Sequence, residues 1–264
     1  PRRRRADHGR RAPRPTAFDG APEGEQCRLS EPDKASPEHI VEVEDEIGPA
    51  WREATAGEHR WPVALVVVFT ISIQYLLPAE LVFQPQWIAP TIEVALLIGI
   101  CIASPRRIKS NSRGVRTAGL VLAALMSIGN AHQAVRLIVG IVDGSDGFDA
   151  SQLLLAGAGI WLTNIVVFAL WYWELDRGGP AARANGVREH PDFLFPQMHR
   201  EHSPREWEPS FFDYLYVAFT NATAFSPTDT LPLSRWAKMT MMAQAAISLM
   251  IGALVIARAI GILQ

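Results

Sequence analysis

Residues Asp213 to Pro232 read DYLYVAFTNATAFSPTDTLP, and a long apolar run from 235 to 262 follows them. The opening apolar part, at about 210–226, is short for a crossing of the hydrocarbon core, which takes about 20 helical residues. It ends in a dense polar patch: Thr220, Asn221, Thr223, Ser226, Thr228, Asp229 and Thr230. On an ordinary span this would be a wasteful exit into solvent. Hydroxyls and a carboxylate grouped in this way can hold cations or water, and the alternative is a packed loop.

Outward from this stretch, the chain from residue 61 is a series of apolar segments at about 62–83, 87–104, 117–142, 150–173 and 235–262. The expected fold is therefore all-α: a polytopic transmembrane helical protein with five spans plus a short sixth span or re-entrant pore-like segment. The expected organisation is a solvated tail over 1–60, a four-span part over 61–175, a linker over 176–209 and a helix–loop–helix over 210–264. The tail carries 11 of the 25 Lys and Arg residues and almost no apolar run, too little to offset the entropy of ordering it. Its Arg2 to Arg5 run reads as a solvated basic segment, with no nucleic-acid partner expected. Cys27 and Cys101 imply no disulfide framework.

The stretch at 213–232 resembles the pore module of tetrameric potassium channels, whose wording is close to D-x-L-Y-F-S-F-x-T-x-T-T-V-G-Y-G-D-x-x-P before the inner helix. Asp213, Leu215, Tyr216, Phe219, Thr223, Asp229 and Pro232 fall in register. Downstream, Ala237-Lys238 stands where the family has Ala-Arg, Gln244 where it has Glu, Ser248 where a hinge Gly is frequent, and Ile256-Ala257-Arg258 matches outright. The resemblance implies a filter-like loop over Thr220, Asn221, Thr223, Ala224, Phe225, Ser226, Pro227, Thr228 and Asp229, and association into a tetramer. The chain departs from the family where V-G-Y-G becomes Phe225-Ser226-Pro227-Thr228. A potassium filter aims successive carbonyls inward through backbone angles that glycine visits cheaply, and Pro227 stiffens its own φ and restrains Ser226. The whole chain is also similar to an uncharacterised family of bacterial multi-span membrane proteins, which implies a location and no activity.

Charge sets the expected orientation. The loops at 84–86 and 143–149 hold no Lys or Arg, whereas 105–116 holds Arg106, Arg107, Lys109, Arg113 and Arg116, and 177–208 holds five more. Positive residues mark cytoplasmic loops, so the N-terminus and both basic loops are expected inside, in the inner membrane. That agrees with a complete crossing by 210–226 and with both termini in the cytoplasm. The linker, with Phe193, Phe195 and Trp207 among charges, reads as an interfacial hairpin, and Trp171-Tyr172-Trp173 as an aromatic belt.

Ionisable residues inside spans are costly and face partners or water. Glu93 in the second span and Arg136 in the third are expected level with each other. His132, Asn130 and Gln133 extend that polar stripe. The cluster is either a proton or ion relay or a buried pair fixing helix register. Asn164, Gln244 and Ser248 read as interhelical hydrogen bonds, and Gly157 and Gly159 as a close-approach face. His190, His199 and His202 include an H-x-x-H spacing in a charged linker but lack a cysteine partner or a helical H-E-x-x-H arrangement, so they read as solvated rather than as a metal site. No nucleophile–base set, phosphate loop or dinucleotide fingerprint is visible, so neither an enzyme nor a cofactor is expected. The expected partners are the lipid bilayer, further copies of the chain and a monovalent cation. The three functions in view are a channel-like oligomer of weak selectivity or none, a proton- or ion-coupled carrier, and a non-conducting membrane scaffold.

Overall fold

The computed structural model describes residues 50–52, 54–104, 107–108, 112–144, 147–188, 190–198, 207–223 and 229–263. Their helices are α1 (Trp61–Leu76), α2 (Ile88–Ala103), α3 (Arg113–Asp143), α4 (Ala150–Leu175), the short α5 (Pro180–Ala184), α6 (Phe211–Thr223) and α7 (Arg235–Leu263). Two short strands, β1 (Phe193–Leu194) and β2 (Leu231–Pro232), pair antiparallel, with Phe193 opposite Pro232 and Leu194 opposite Leu231.

The described residues are mostly helical, and among them three helices are long and apolar enough to cross a membrane: Arg113–Asp143, Ala150–Gly178 and Arg235–Ile262. α1 and α2 are shorter than expected, at 16 residues each. At 1.5 Å per residue they reach about 24 Å, against a hydrocarbon core of about 30 Å. The cause lies in the sequence. Leu77 precedes Pro78 and takes extended geometry (φ −73°, ψ 147°), as a residue before proline prefers. The chain then makes a single 3₁₀ turn at Ala79–Leu81 instead of continuing the helix to 83.

α4 is the central element, packed by α1, α3, α6 and α7. Its start is fixed by a capping box, in which Asp149 Oδ1 accepts from Gln152 N at 2.7 Å and Gln152 Oε1 accepts from Asp149 N at 3.3 Å. The small-residue face works as expected: a Cβ on Gly157 would lie 2.7 Å from Val255 Cγ2, so glycine sets how closely α4 and α7 approach.

The helices divide the chain between two ends. At one end Arg107 Nη1 donates to Gly57 O (3.0 Å), Ile108 N to Glu58 O (3.0 Å) and Thr55 N to Ala184 O (2.9 Å). Residues 54–60, which composition assigns to the tail, are thus tied to the α2–α3 loop and to α5. Every described Arg and Lys except Arg136 and Arg258 lies in the segments of this end or in the first turn of a helix leaving it. We call it the basic end. The far end holds the 77–87 loop and the α3–α4 turn, where Leu81 and Val82 pack with Leu137 and Leu153.

Both α6 and α7 begin at the basic end. Phe211 and Trp236, at their starts, contact groups grouped around the C-terminus of α4. α6 has 13 residues and reaches about 20 Å, less than a crossing. Its later turns lie beside the third turn of α7, since Gln244 Nε2 donates to Ala218 O (2.8 Å) and Asn221 Nδ2 to Met241 O (2.9 Å). The chain is back at the basic end by Leu231 and Pro232, which pair with β1, and Leu233 N donates to Asp192 O (2.8 Å). The described parts of 210–232 therefore begin and end at the basic end. Charge counting leads one to expect the two limbs at opposite ends; β1 from the linker and Asp192 instead hold both described limbs at the same end. α7 then runs to the far end, so the two ends of residues 50–263 lie on opposite sides.

Candidate functional site

The re-entrant unit is held by a buried polar clamp built on the sequence Asp176-Arg177-Gly178-Gly179-Pro180. Gly178 and Gly179 have φ of +87° and +98°, and the glycines with Pro180 end α4 abruptly. Arg177 itself has φ +50°, a left-handed conformation costing a non-glycine residue about 1–3 kcal/mol. Its surroundings fix it there. Arg177 N donates to Asp192 Oδ2 (3.0 Å), and its guanidinium donates to Trp51 O (2.6 Å) and lies 5.4 Å over the Trp51 ring.

Asp176 is fully buried and joins this corner to α6. Its Oδ2 accepts from Tyr214 Oη at 2.5 Å, with Arg177 Nε 3.7 Å away, and its Oδ1 accepts from Asp192 N at 2.8 Å. Asp192 in turn accepts from the Trp236 indole at 2.9 Å, which ties α7 to the same knot. Arg183 closes the end of α4 by donating to Trp173 O (2.6 Å) and Asp176 O (3.0 Å), with its guanidinium 4.9 Å over the Tyr214 ring. Buried charges are costly unless paired and hydrogen-bonded, and here the pairing is incomplete: among the described residues Arg177 Nε and Arg183 Nη2 have no hydrogen-bond partner.

Glu58 holds the start of α6. Its Oε1 accepts from Phe211 N (2.7 Å) and its Oε2 from the Trp173 indole (2.8 Å). A carboxylate at a helix N-terminus satisfies an otherwise unpaired N–H and complements the helix dipole. Burial pushes the Glu58 carboxyl above the usual range, opposed by those two donors and by the charge of Arg183.

Deeper in the bundle the polar side chains of four helices form a ladder. Gln244 Oε1 accepts from Tyr172 Oη (2.7 Å) and Asn221 Nδ2 (2.8 Å), joining α4 and α6 to α7. Asn164 Nδ2 donates to Ser248 Oγ (2.9 Å) and its Oδ1 accepts from Asn130 Nδ2 (3.2 Å), joining α7 and α3 to α4. The interhelical roles expected of Asn164, Gln244 and Ser248 are what these bonds provide.

The remaining expected site residues are dispersed. Thr220 Oγ1 donates to Tyr216 O (2.9 Å) and Thr223 Oγ1 to Thr220 O (2.9 Å), so both hydroxyls turn back onto their own helix. Asp229 is exposed at the basic end. Ala224, Phe225, Ser226, Pro227 and Thr228 lie outside the described residues. Arg258 is half-buried towards the far end of α7.

Glu93 and Arg136 do not pair. Glu93 is buried and accepts from Gln74 Nε2 (2.8 Å), while exposed Arg136 donates to Glu80 O (3.2 Å) on the 3₁₀ turn. The break at Pro78 brings Glu80 within reach of Arg136, and it also brings Phe83 to His132, whose rings stack at 3.8 Å. Gln133 and Asn130 are buried, each with a side-chain carbonyl that has no partner among the described residues.

The linker and the aromatic run also turn inward. Phe193 and Phe195 are buried beside Tyr214, and Tyr172 and Trp173 are buried with their polar atoms bonded to Gln244 and Glu58. These four rings, expected in an interfacial hairpin and an aromatic belt, are core residues. The clamp residues Glu58, Asp176, Arg177, Arg183 and Asp192 escaped the reading of the sequence. A charged pair followed by Gly-Gly-Pro, directly after an apolar run, was the available signal.

No family model, curated protein or solved structure matches the chain.

Proposed function

We propose that this is an integral membrane protein whose re-entrant α6–loop–α7 unit forms, with copies of itself, a weakly selective pathway for monovalent cations. The observation that carries this reading is the course of residues 211–236: a short helix inward, a return to the same end, and a long apolar helix leaving from it. That is the path of a pore module, and the wording of 213–258 resembles one. Exposed Asp229 offers a carboxylate at the mouth, while Ser226, Pro227 and Thr228 replace the glycine geometry that potassium selectivity needs.

In this reading the basic end faces the cytoplasm of a bacterial cell, since Lys and Arg collect there. Five helices cross the inner membrane, and α6 enters from the cytoplasmic side. The N-terminal segment is then cytoplasmic and the end of α7 is on the opposite face. The short α1 and α2 are accommodated by local thinning of the bilayer at modest cost. Met239, Met242, Leu249 and Ile256 form an exposed apolar face of α7 for lipid or for neighbouring copies. A carrier is the second reading, favoured by Glu93, which is buried on an amide alone.

The test is ion flux from liposomes holding the purified chain. We expect potassium and sodium to pass at similar rates, and Asp229→Asn to reduce both. Strong potassium selectivity would refute the argument from filter geometry. Absence of flux for either ion would refute the pore.

A further inference from the structure

Glu174, in the last turn of α4, is only 7% exposed, yet among the described residues no donor reaches its carboxylate. An ionised carboxylate buried without donors is costly, so water or a proton must satisfy it. Its oxygens are cradled by glycine: a Cβ on Gly119 would lie 2.5 Å from Oε1, and one on Gly179 3.6 Å from Oε2.

Two cavities meet at this carboxylate, each of about 30 Å³. Both are lined by Arg60, Trp173 and Glu174. The outer one opens towards the basic end past Ser112 and Arg116. The inner one runs between α1, α2, α3 and α4 against apolar side chains such as Val67 and Leu97. A volume of this size holds about one or two water molecules.

Three guanidinium groups, those of Arg183, Arg60 and Arg116, act on Glu174 through their charge. None bonds to it. Arg183 Nη1 donates to the carbonyls of Trp173 and Asp176 while its Nη2 has no partner among the described residues, and Arg60 Nε donates to Ser104 O at 3.1 Å. Arg116, on α3, is exposed at the rim of the outer cavity. α2 faces the inner cavity with Leu97 and Ile100 and brings no charge.

We propose that Glu174 is a proton-binding site loaded from the solution at the basic end through the outer cavity. A hydronium ion there passes its proton to a Glu174 oxygen and leaves a neutral water, and the carboxylic acid then donates to that water. Loading removes the negative charge that faces Arg183, whose guanidinium also covers Tyr214 of the clamp. The site does not depend on whether the re-entrant unit conducts.

The experiment is infrared difference spectroscopy of the full chain in lipid vesicles as pH is lowered. We expect a component of the carboxylic-acid carbonyl band that grows with acidification, is lost in Glu174→Gln and persists in Glu58→Gln and in Glu93→Gln. A band unchanged in Glu174→Gln, or no band at all, would overturn the proposal. If Glu174→Gln does not fold, carbodiimide labelling of the wild-type chain decides, because that reagent attacks protonated carboxyl groups. Mass spectrometry should find label on Glu174 that falls about tenfold per pH unit above the midpoint, as for a one-proton site. Label that is absent from Glu174, or independent of pH, would overturn it.

Discussion

Tyr214→Phe removes one hydroxyl from the clamp and leaves the ring, its packing against Phe193 and Phe195, and its contact with Arg183 in place. The lost bond is the 2.5 Å donation to Asp176 Oδ2, both residues being fully buried. A hydrogen bond to a charged group contributes about 1.5–3 kcal/mol net. The upper part of that range applies, because Asp176 Oδ2 keeps only Arg177 Nε at 3.7 Å, beyond hydrogen-bond distance. Reversible unfolding in mixed detergent micelles measures the loss. The same titration on Asp176→Asn and on the double variant gives the coupling, expected at about 1–3 kcal/mol for residues in direct contact. A Tyr214→Phe loss below about 0.5 kcal/mol would place it with neutral surface changes and refute the clamp. So would additive losses in the double variant.

Arg136→Met should cost no more than about 1 kcal/mol, since its bond to Glu80 O is exposed, and its effect should add to that of Glu93→Leu. Coupling should appear between Glu93 and Gln74 instead, read from double-mutant cycles in the same titration. Glu58 makes a pH prediction. Its folded carboxyl titrates above its ordinary value, so folding takes up a proton. This contribution to stability is fully present below the ordinary glutamate range and is lost as pH rises through the raised value. Thermal midpoints compared between about pH 5 and 8 should show the wild type gaining on Glu58→Gln as pH falls. A gap that is constant, or moves the other way, would contradict the assigned burial.

The helices and several of their contacts were legible because they follow from local rules. Apolar runs located α3, α4 and α7, and isolated amides within those runs foretold the Asn164, Gln244 and Ser248 bonds. What failed depended on long-range geometry. A single proline at 78 shortened α1 and turned Glu80 towards Arg136, so levels counted along straight helices gave Glu93 the wrong partner. Charge counting grouped the correct segments at the basic end. It could not tell that α6 returns there, because the return rests on β1, Asp192 and Asp176, three points separated from α6 in sequence. Residues 50–60 read as tail by composition, yet Trp51 and Glu58 are fixed by Arg177 and Trp173 from the far side of the sequence.

The central claim is that α6 enters and returns at one end. With Cys27 and Cys101 replaced by serine, single cysteines at Arg188, at Asp229 and after Gln264 can be treated with an impermeant thiol reagent in intact and in opened cells. Positions 188 and 229 should react from the same side, and the appended cysteine from the opposite one. If 229 reacts from the side opposite 188, and the C-terminal cysteine shares the side of 188, α6 crosses the membrane and the re-entrant account is wrong.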